Sequence, residues 1–509
     1  MHFSKVSWAA KLLCCASVVM LYGCANYKPE PIGNLDIAAQ AQALKNQQAK
    51  DIDPITGTLT LEEAIARAIK YNAERRVRVM EDAMAHGAMD VANLDMLPKL
   101  VANAGYRARD SDLLTNLRAG PNSAITPGSS ISSERSASTT DLSFTWSLLD
   151  FGQSYYVAKQ SGDRVLIAAE RRRKALHNLV QDVRTAYWRV VAADKLGQLI
   201  NATLQEAEAA LKASEAAEAT AMRSPLMALR FQRQLLENLR MLELVEHELS
   251  SARVELATLA AIPSDSTFTV VEPSNHISRQ WLGMNVADME LQAIMHNPDL
   301  RESIYSARIA RDEAKKALVK MFPGISFSYG TRSTSDEYVV NQRWNEAGAQ
   351  ISFNLLGMLS APAQKRMADI GISMADQRRV ATQMAIISQV HIARLNYANA
   401  AKQFERADKI AKVESRMAEV VAVQARAEAQ SNQENVAQQT TTILSSLRRY
   451  QALSNAQAAA SRLQATLGLE PVVAAAENMP LVDVVQAVEQ SLKNWDAGTL
   501  PQTPSGAAW

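Results

Sequence analysis

Cys24 is the residue whose surroundings indicate a definite chemical reaction, because it ends the run Leu21-Tyr22-Gly23-Cys24. This run resembles a bacterial lipobox, in which the chain is cleaved before the cysteine and the thiol is acylated. Lysines and a short apolar run at 12–20 precede it, and that run is too short to span a bilayer. We therefore predict a signal peptide, a thioether-linked diacylglycerol and an amide-linked acyl chain, because two or more chains anchor a protein stably. An ordinary secretory signal with an incidental cysteine is the alternative.

Other residue types that support chemistry do not form a recognisable site. All three cysteines lie at or before residue 24, so Cys24 would be the only thiol left after cleavage, too few for a disulfide or a metal cluster within the chain. The seven histidines are scattered, and no phosphate-cradling glycine loop or nucleophile elbow occurs. The run 150–152 mimics a kinase motif but lacks the accompanying loops. We expect no enzyme activity, no catalytic residue, no cofactor and no metal.

The charge balance argues against a nucleic-acid partner. The sequence has 54 basic and 53 acidic residues, for a formal net charge of +1, whereas polyanion binding needs a basic excess or patch. One basic run, 171–174, could bind phosphate. On a long amphipathic helix such a run more often forms a solvated face, and this is the interpretation we favour.

An internal repeat organises the chain. Asn72 and Pro98 recur as Asn297 and Pro323, so both landmarks are shifted by the same distance along the sequence. Beyond the second landmark, segment 144–149 recurs as 351–356. The distance along the sequence between matching residues is therefore smaller there than at the two landmarks. Each half therefore contains the same order of parts, and one loop accounts for the difference in length.

Each half is predicted to contain a helix followed by a β-hairpin. The first helix, 60–96, begins at Thr60 with Glu63 as a capping box and ends at a proline. Strands are predicted near 99–109 and 140–149 because apolar and polar residues alternate there, with a long exposed loop at 110–138 and a shorter one, 331–346, in the second half. The positions predicted to face lipid are Leu142, Phe144, Trp146, Leu148, Phe327, Tyr329, Ile351 and Phe353.

The predicted strands are long enough to cross a membrane. About ten residues suit a tilted membrane strand, although a soluble hairpin has the same alternation. Two hairpins supply four strands, which cannot close a barrel, and a bilayer tolerates no open edge. If the strands span the membrane, several copies must share one barrel, and three copies would give twelve strands.

A long helical hairpin is predicted after each pair of strands. The stretches 153–262 and 363–467 are too long for single rods, and Ser224-Pro225 and Ser431-Asn432 mark the expected reversals. The outgoing arm of the first stretch would be about 105 Å long and the returning arm about 55 Å, so the returning arm and the helix before the hairpin together match the outgoing arm. Leucines repeat every seven residues at 235, 242, 249 and 256, which an ordinary coiled coil would explain equally well.

Together these features resemble the TolC-like outer membrane factors, in the lipoprotein branch of that family. The starting segment 59–64, the strand entry at 97–98, the strand exit at 146–152 and the helix end at 467–469 look like family landmarks, and the resemblance covers 59–471. It implies a homotrimer, with a twelve-stranded membrane β-barrel and a helical barrel that projects into the periplasm. The implied partners are a periplasmic adaptor, an inner-membrane transporter of the resistance type or the ABC type, and outer-membrane lipid.

The resemblance also indicates where the channel would narrow. The family carries a glycine, a hydroxyl residue and an acidic residue at each periplasmic tip; here Ser431 and Glu434 fit, whereas Glu428 replaces the glycine. We predict that these three residues line the aperture and that Ser224 and Pro225 form the other tip. Three copies of Glu434 would attract cations and repel one another. A solvated surface side chain is the alternative for each glutamate.

The sequence thus predicts a mainly α-helical, internally duplicated chain with a small membrane β-barrel contribution. Its function would be that of a passive outer-membrane exit duct of a tripartite efflux system, closed by a helical iris. One-step protein secretion with the same fold, and a lipid-anchored coiled-coil scaffold without a pore, are the alternatives. The predicted divisions are a signal peptide (1–23), a lipidated extended segment (24–58), a first repeat (59–263, hairpin 99–149), a linker (264–287), a second repeat (288–471, hairpin 325–356) and a loosely held tail (472–509).

Overall fold

The computed structural model describes residues 31–55, 57–117, 128–219, 225–263, 266–273, 277–426, 432–471, 473 and 476–499. These residues form two compact units, the first ending at Pro54 and the second beginning at Ile55. The first unit contributes one helix, α1 (Asn34–Asp51). All other elements belong to the second unit.

The second unit repeats one order of elements twice, and the fold class predicted from the sequence is confirmed. Each repeat runs through two short helices, a pair of long strands and a pair of long helices. The helices are α2 (Leu61–Tyr71), α3 (Ala73–Leu94), α4 (Leu148–Ala219), α5 (Pro225–Leu259), α6 (Gln280–Gly283), α7 (Val286–His296), α8 (Pro298–Val319), α9 (Gly357–Arg426), α10 (Asn432–Thr466) and α11 (Leu481–Asp496). The strands are β1 (Thr58–Leu59), β2 (Lys99–Ala108), β3 (Leu114–Leu117), β4 (Gly128–Ile131), β5 (Ser136–Ser147), β6 (Thr269–Val270), β7 (Gly324–Thr334) and β8 (Arg343–Ser352).

The helix predicted as one rod from 60 to 96 is broken at Asn72. Thr60 begins α2 as predicted, because its hydroxyl oxygen accepts a hydrogen bond from the Glu63 amide at 3.1 Å. Asn72 then leaves helical geometry, and its side-chain oxygen accepts from the Arg75 amide at 3.1 Å to start α3. Asn297 separates α7 from α8 in the same way, with its side-chain oxygen 2.9 Å from the Asp299 amide. Each single predicted helix is therefore two helices joined at a capping asparagine.

The two long helices of each repeat pack against each other, and the residues between them, where the reversals were predicted, lie outside the described ranges. Helix α4 has 72 residues, which corresponds to about 108 Å, and α5 has 35. Pro225 is the first residue of α5, a position where its missing N–H costs no helical hydrogen bond. The leucines at 235, 242, 249 and 256 are all buried, so the heptad pattern marks the packed face of α5.

The four long strands form one antiparallel sheet in the order β2-β5-β7-β8. Leu148 and Phe353, predicted at the ends of membrane strands, lie just outside them. Leu148 begins α4 because the Ser147 hydroxyl oxygen accepts from the Asp150 amide at 3.2 Å and caps the helix there. Phe353 precedes Asn354, whose side-chain oxygen accepts from the Gly357 amide at 2.8 Å at the start of α9. Side-chain caps therefore shorten both strands.

Two predicted loops are more structured than the sequence suggested. Within 110–138, β3 pairs antiparallel with β4, and β5 already begins at Ser136. Arg135 reinforces this region through a two-pronged ion pair with Asp112, at 2.6 and 2.9 Å. In the second half, β7 and β8 extend into the predicted loop and leave only 335–342 between them.

The prediction of a loosely held tail is wrong for its central part. Helix α11 buries Val484, Val488 and Trp495, and it packs against α2 beside the core that surrounds Trp188 of α4. Spacings of four and seven residues place these side chains on one face of the helix. Residues 500–509 lie outside the described ranges.

Gly468, at the end of α10, generates a prediction about stability. Its φ is +73°, and an added Cβ would collide with the carbonyl oxygen of His296. We expect Gly468→Ala to lower the free energy of unfolding by more than about 1 kcal/mol, measured by urea titration with circular dichroism. Gly197→Ala, in the middle of α4 with nothing within 4 Å of the added Cβ, should instead stabilise by roughly 0.5–1 kcal/mol. Equal effects of the two changes would contradict the packing described at Gly468.

Candidate functional site

The four-stranded sheet has one exposed apolar face. Its register places Leu100 opposite Phe144, Phe144 opposite Tyr329, and Trp146 opposite Phe327. Paired residues of an antiparallel sheet share a face, so these side chains form a continuous surface. The large side chains on this face are Leu100, Tyr106, Leu142, Phe144, Trp146, Phe327, Tyr329 and Ile351. All of these except the half-buried Trp146 are exposed, as a surface turned toward lipid requires.

The opposite face of the same sheet carries a polar pair and an ion pair. Asn103 donates to a carboxylate oxygen of Asp141 at 3.0 Å, and Arg332 pairs with Glu346 at 3.2 Å. The sheet thus separates an apolar side from a side with hydrated charges, which is the alternation of a strand between lipid and water.

Both outer strands of the sheet have an open edge. Among the described strands, β2 pairs with β5 alone and β8 with β7 alone. Each edge exposes the free backbone N–H and C=O groups of a ten-residue strand. In a bilayer these groups have no water to bind, so the arrangement is stable there only if another strand covers each edge.

Asp336 fastens the two hairpins together beyond the strands. One of its carboxylate oxygens accepts from the backbone amides of Glu134 and Tyr338, both at 3.1 Å. The Glu134 amide contributes most to holding the pKa of Asp336 below its ordinary value. Arg107 of β2 lies 3.9 Å from the same carboxylate. One buried side chain therefore fixes the loop of the second hairpin against the first.

Three cations of the basic run at 171–174 lie on a solvated face, with 43–60% of each side chain exposed, and they also pair with acids of neighbouring helices. Arg171 pairs with Glu302 at 2.7 Å, Arg172 with Asp82 at 3.2 Å and Lys174 with Asp299 at 2.7 Å. These acidic partners belong to α3 and α8, on either side of α4. The run therefore holds three helices together, and each of these cations already has a carboxylate partner.

Arg173 points inward and connects both halves of the chain. Its guanidinium donates to Glu170 at 2.6 Å and to Glu470 at 2.7 Å. It also donates to the carbonyl oxygens of His296 and Gly468, both at 3.3 Å. Arg173 therefore satisfies carbonyls where α7 and α10 end, which are groups that helices leave without internal partners.

The two capping asparagines make equivalent long-range bonds. Asn72 donates its side-chain N–H to the Leu259 carbonyl at 3.2 Å, and Asn297 donates to the Thr466 carbonyl at 2.9 Å. The two asparagine donors are separated by the larger of the two repeat distances in the sequence. The two carbonyl acceptors are separated by the smaller one. Each repeat thus attaches the break between its short helices to the end of its returning long helix.

Most residues predicted for the aperture and the lipid site are outside the described ranges. Cys24, Ser224, Glu428 and Ser431 fall there. Glu434 lies in the first turn of α10 and Pro225 begins α5, so both are next to residues outside the described ranges. The aperture and the lipid site remain predictions.

None of the described helices is both long enough and apolar enough to span a membrane. Within the same residues, no group of three His, Cys, Asp or Glu side chains is arranged to hold a metal ion.

Comparisons with known proteins find one family model and several solved structures that are similar to this chain. Residues 66–261 match the family model described as outer membrane efflux protein. No curated protein matches the sequence significantly. Among solved structures, the fold is similar to the CmeC outer membrane channel of Campylobacter jejuni (TM-score 0.64, 11% identity), with 87% of this chain and 90% of that chain covered. It is also similar to the outer membrane protein VceC of Vibrio cholerae (TM-score 0.56, 12% identity), with 80% and 96% covered. A third similar structure is the open state of the MtrE outer membrane channel of Neisseria gonorrhoeae (TM-score 0.55, 16% identity), with 80% and 90% covered.

The resemblance to the TolC-like outer membrane factors is therefore confirmed. The first repeat carries the sequence pattern of the efflux family, and the two repeats together have the fold of solved outer membrane channels.

His177, beside Glu470, generates a prediction about pH. Burial and the nearby Arg173 lower the pKa of His177 to about 3 from an ordinary value of 6.5, so the folded chain keeps it neutral. The unfolded chain binds a proton below pH 6.5, and stability is lost as the pH falls from there toward 3. We expect His177→Asn to remove about 2 kcal/mol of the stability difference between pH 7 and pH 5, measured by urea titration.

Two neighbouring groups also contribute to this pH dependence. Burial lowers the pKa of His296, which adds to the loss at acid pH, and burial raises the pKa of Glu470, which opposes it. Both are present in the variant and in the unchanged protein, so the comparison isolates His177. His247→Asn, on an exposed part of α5, is the matched control and should leave the difference unchanged. If the stability of the unchanged protein differs between pH 7 and pH 5 by no more than that of His177→Asn, then His177 is not held neutral by burial.

Proposed function

We propose that this protein is the outer-membrane channel-tunnel of a tripartite efflux system. It would be a passive exit duct for substrates delivered by an inner-membrane transporter through a periplasmic adaptor. The observation that carries the proposal is the four-stranded sheet, which has an exposed apolar face and two open edges and is joined to helices of 72 and 70 residues.

The open edges support a shared barrel. A bilayer-spanning sheet must have every backbone N–H and C=O paired, and four strands are too few to close on themselves. Copies joined with β8 of one against β2 of the next satisfy both edges. Three copies give twelve strands, and the charged face with Asp141 and Glu346 then lines the interior.

The helices support a long periplasmic duct. Helices α4 and α9 each extend for about 105 Å, much farther than a compact domain needs. Helices α3, α4, α8 and α9 pack side by side in that order, and they connect directly to the ends of the long strands. Three copies would continue the strand barrel as a ring of helices, with the helical reversals at its far end.

The proposed mechanism is a gate without chemistry. The reversals between α4 and α5 and between α9 and α10 would meet at the far end and close it, and binding of an adaptor would spread them. In this mechanism the chain forms only the wall and the gate of the duct, and the inner-membrane transporter supplies the energy for transport.

The proposal is tested with purified, lipidated protein in detergent and in planar bilayers. We expect a homotrimer by native mass measurement and stepwise conductance after insertion. A single unassociated chain that leaves bilayers electrically silent would overturn it and favour the scaffold alternative. Export of small molecules or of a secreted protein by cells that carry the reconstituted partners then separates efflux from one-step secretion.

Glu434 is predicted to form a ring of three carboxylates at the narrow end. We expect Glu434→Gln to reduce the preference of the channel for cations over anions, because the change removes three charges from a confined mouth. The measurement is the reversal potential in a salt gradient. Glu243→Gln, on the exposed surface of α5, is the control and should leave the selectivity unchanged. An unchanged preference in Glu434→Gln would remove the ring from the proposal.

Cys24 is proposed as the site of lipid attachment. We expect Cys24→Ala to remove the mass of the acyl groups and the incorporation of labelled palmitate, because no other cysteine follows residue 15. Intact-mass spectrometry of the membrane fraction measures this. An acyl mass that persists in the variant, or an unmodified Cys24 in the unchanged protein, would favour the ordinary secretory signal.

A further inference from the structure

A long groove runs between α8 and α9 along one side of the two helices. Its volume is about 940 Å³, which is within the range of small-molecule sites. Gly371, within α9, has nothing within 4 Å of an added Cβ, so the floor of the groove is open at that point. The floor is formed by small and apolar residues of both helices, among them Ala310, Ala314, Ala317, Met367, Gly371 and Met374.

Two cations line this groove at separate points along its length. Helices α8 and α9 run antiparallel, and Arg311 of α8 pairs with Asp376 of α9 at 2.8 Å, which sets their register. Arg378 therefore lies beside Ala310, about 15 Å along the groove from Lys320 at the end of α8. Within the described part of the chain, neither of these two cations forms an ion pair within 4 Å.

The carboxylates that line the groove, by contrast, already have cationic partners. Lys320 also attracts Glu313, but from beyond ion-pair distance. The pairs are Glu313–Lys316 at 2.6 Å, Asp299–Lys174 at 2.7 Å and Glu302–Arg171 at 2.7 Å. The groove therefore combines an apolar floor with a surplus of positive charge.

The groove lies on the side of the long helices that is opposite the short helices α6 and α7. Gln389 lines the groove, whereas His391, two residues on and so about 200° around the helix, lies 2.8 Å from Glu290 of α7. Arg394 likewise donates to the Leu282 carbonyl of α6 at 2.8 Å. Short helices inside a ring of long helices would obstruct it, so the groove faces the interior of the proposed duct.

A second cavity continues the groove onto the charged face of the sheet. Lys320 and Gln364 line both cavities, and Gly324 and Ser352 line the second one, whose volume is about 500 Å³. Gly324 lies opposite Ser352 in the sheet and shares a face with Arg332, because alternate residues of a strand point to the same side. This charged face is the one that would line the interior of the barrel, in agreement with the position of the short helices.

We propose that this groove binds organic anions with an apolar body as they pass along the duct. The apolar body would lie on the floor around Gly371, and the acid group would lie beside Arg378 or Lys320. The inference rests on the proposed function, because only a duct presents the groove to passing substrates. Both cations are exposed, so each attracts an acid weakly, and weak binding at successive points lets a substrate enter and leave.

The internal repeat provides a comparison within the same chain. The larger repeat distance makes α3 the counterpart of α8, and the smaller one makes α4 the counterpart of α9. At the matching positions, Arg164 stands in place of Gly371 and Asp95 in place of Lys320. A long side chain replaces the open floor and an acid replaces a cation, so the features that suit an anion belong to the second repeat.

Filling the floor of the groove tests the site. The full-length protein in non-ionic detergent is equilibrated by dialysis with 1-naphthalenesulfonate, and we expect one saturable site per chain. Gly371→Leu should abolish this binding, because leucine fills the open floor and is also a better helix former than glycine. Gly197→Leu, within α4 and also with nothing near an added Cβ, is the matched control and should bind normally. Binding that persists in Gly371→Leu, or that disappears equally in both variants, overturns the site.

Removing the two cations tests the preference for anions. Arg378→Gln combined with Lys320→Gln should weaken the binding of 1-naphthalenesulfonate about fivefold or more, and added salt should weaken binding to the unchanged protein. Arg366→Gln removes an exposed cation of α9 that does not line the groove, and it should change nothing. The cation 1-naphthylmethylammonium and inorganic sulfate should each bind more weakly than the sulfonate. Equal binding of the ammonium probe, or an unchanged affinity in the double variant, overturns the assignment to anions.

The two proposals can fail separately. Conducting trimers that bind no 1-naphthalenesulfonate would leave the channel in place and remove the groove as a site. Saturable binding that Gly371→Leu abolishes, in a protein that neither trimerises nor conducts, would retain the site but overturn both the duct and the role of the groove in passage.

Discussion

The need to pair every backbone polar group of the four long strands governs the rest of this molecule. Water can satisfy the free edges of β2 and β8, but hydrocarbon cannot. The apolar face that includes Leu100, Phe144 and Tyr329 is suited to lipid, so the sheet cannot be stable there as a single copy. If the sheet spans a membrane, association with further copies is part of how it folds, and the helices that extend from it must leave room for those copies.

Inside the chain, polar contacts fix the positions of the long helices where the two repeats meet. Arg173 satisfies two carboxylates and two carbonyl oxygens, and removing it would leave Glu170 and Glu470 without their shared cation. Asn72 and Asn297 add equivalent attachments at matched positions. Polar contacts with specific partners therefore join the two repeats at this junction.

Sequence periodicity predicted the features that depend on local pattern. The alternation of apolar and polar residues predicted the strands, and the seven-residue leucine spacing predicted the packed face of α5. The recurrence of landmarks at constant distances predicted the duplication. Periodicity did not predict the features that depend on residues far apart in the sequence. Asn72 breaks a helix whose pattern is continuous, and its break is fixed by the carbonyl of Leu259, 187 residues away. The partners of Arg173 include groups on segments far away along the chain, and nothing local distinguishes it from the exposed Arg171.

Unequal hairpins give the molecule a further property. The β3–β4 ribbon belongs to the first hairpin alone, whereas the short segment 335–342 connects the strands of the second. Around a ring of three copies, ribbons would alternate with short turns, so the mouth would have threefold symmetry although the wall beneath approaches sixfold. An antibody or a phage protein that recognises the ribbon would have three equivalent binding sites there. Lengthening or exchanging the ribbon would alter the rim without disturbing the duct below it.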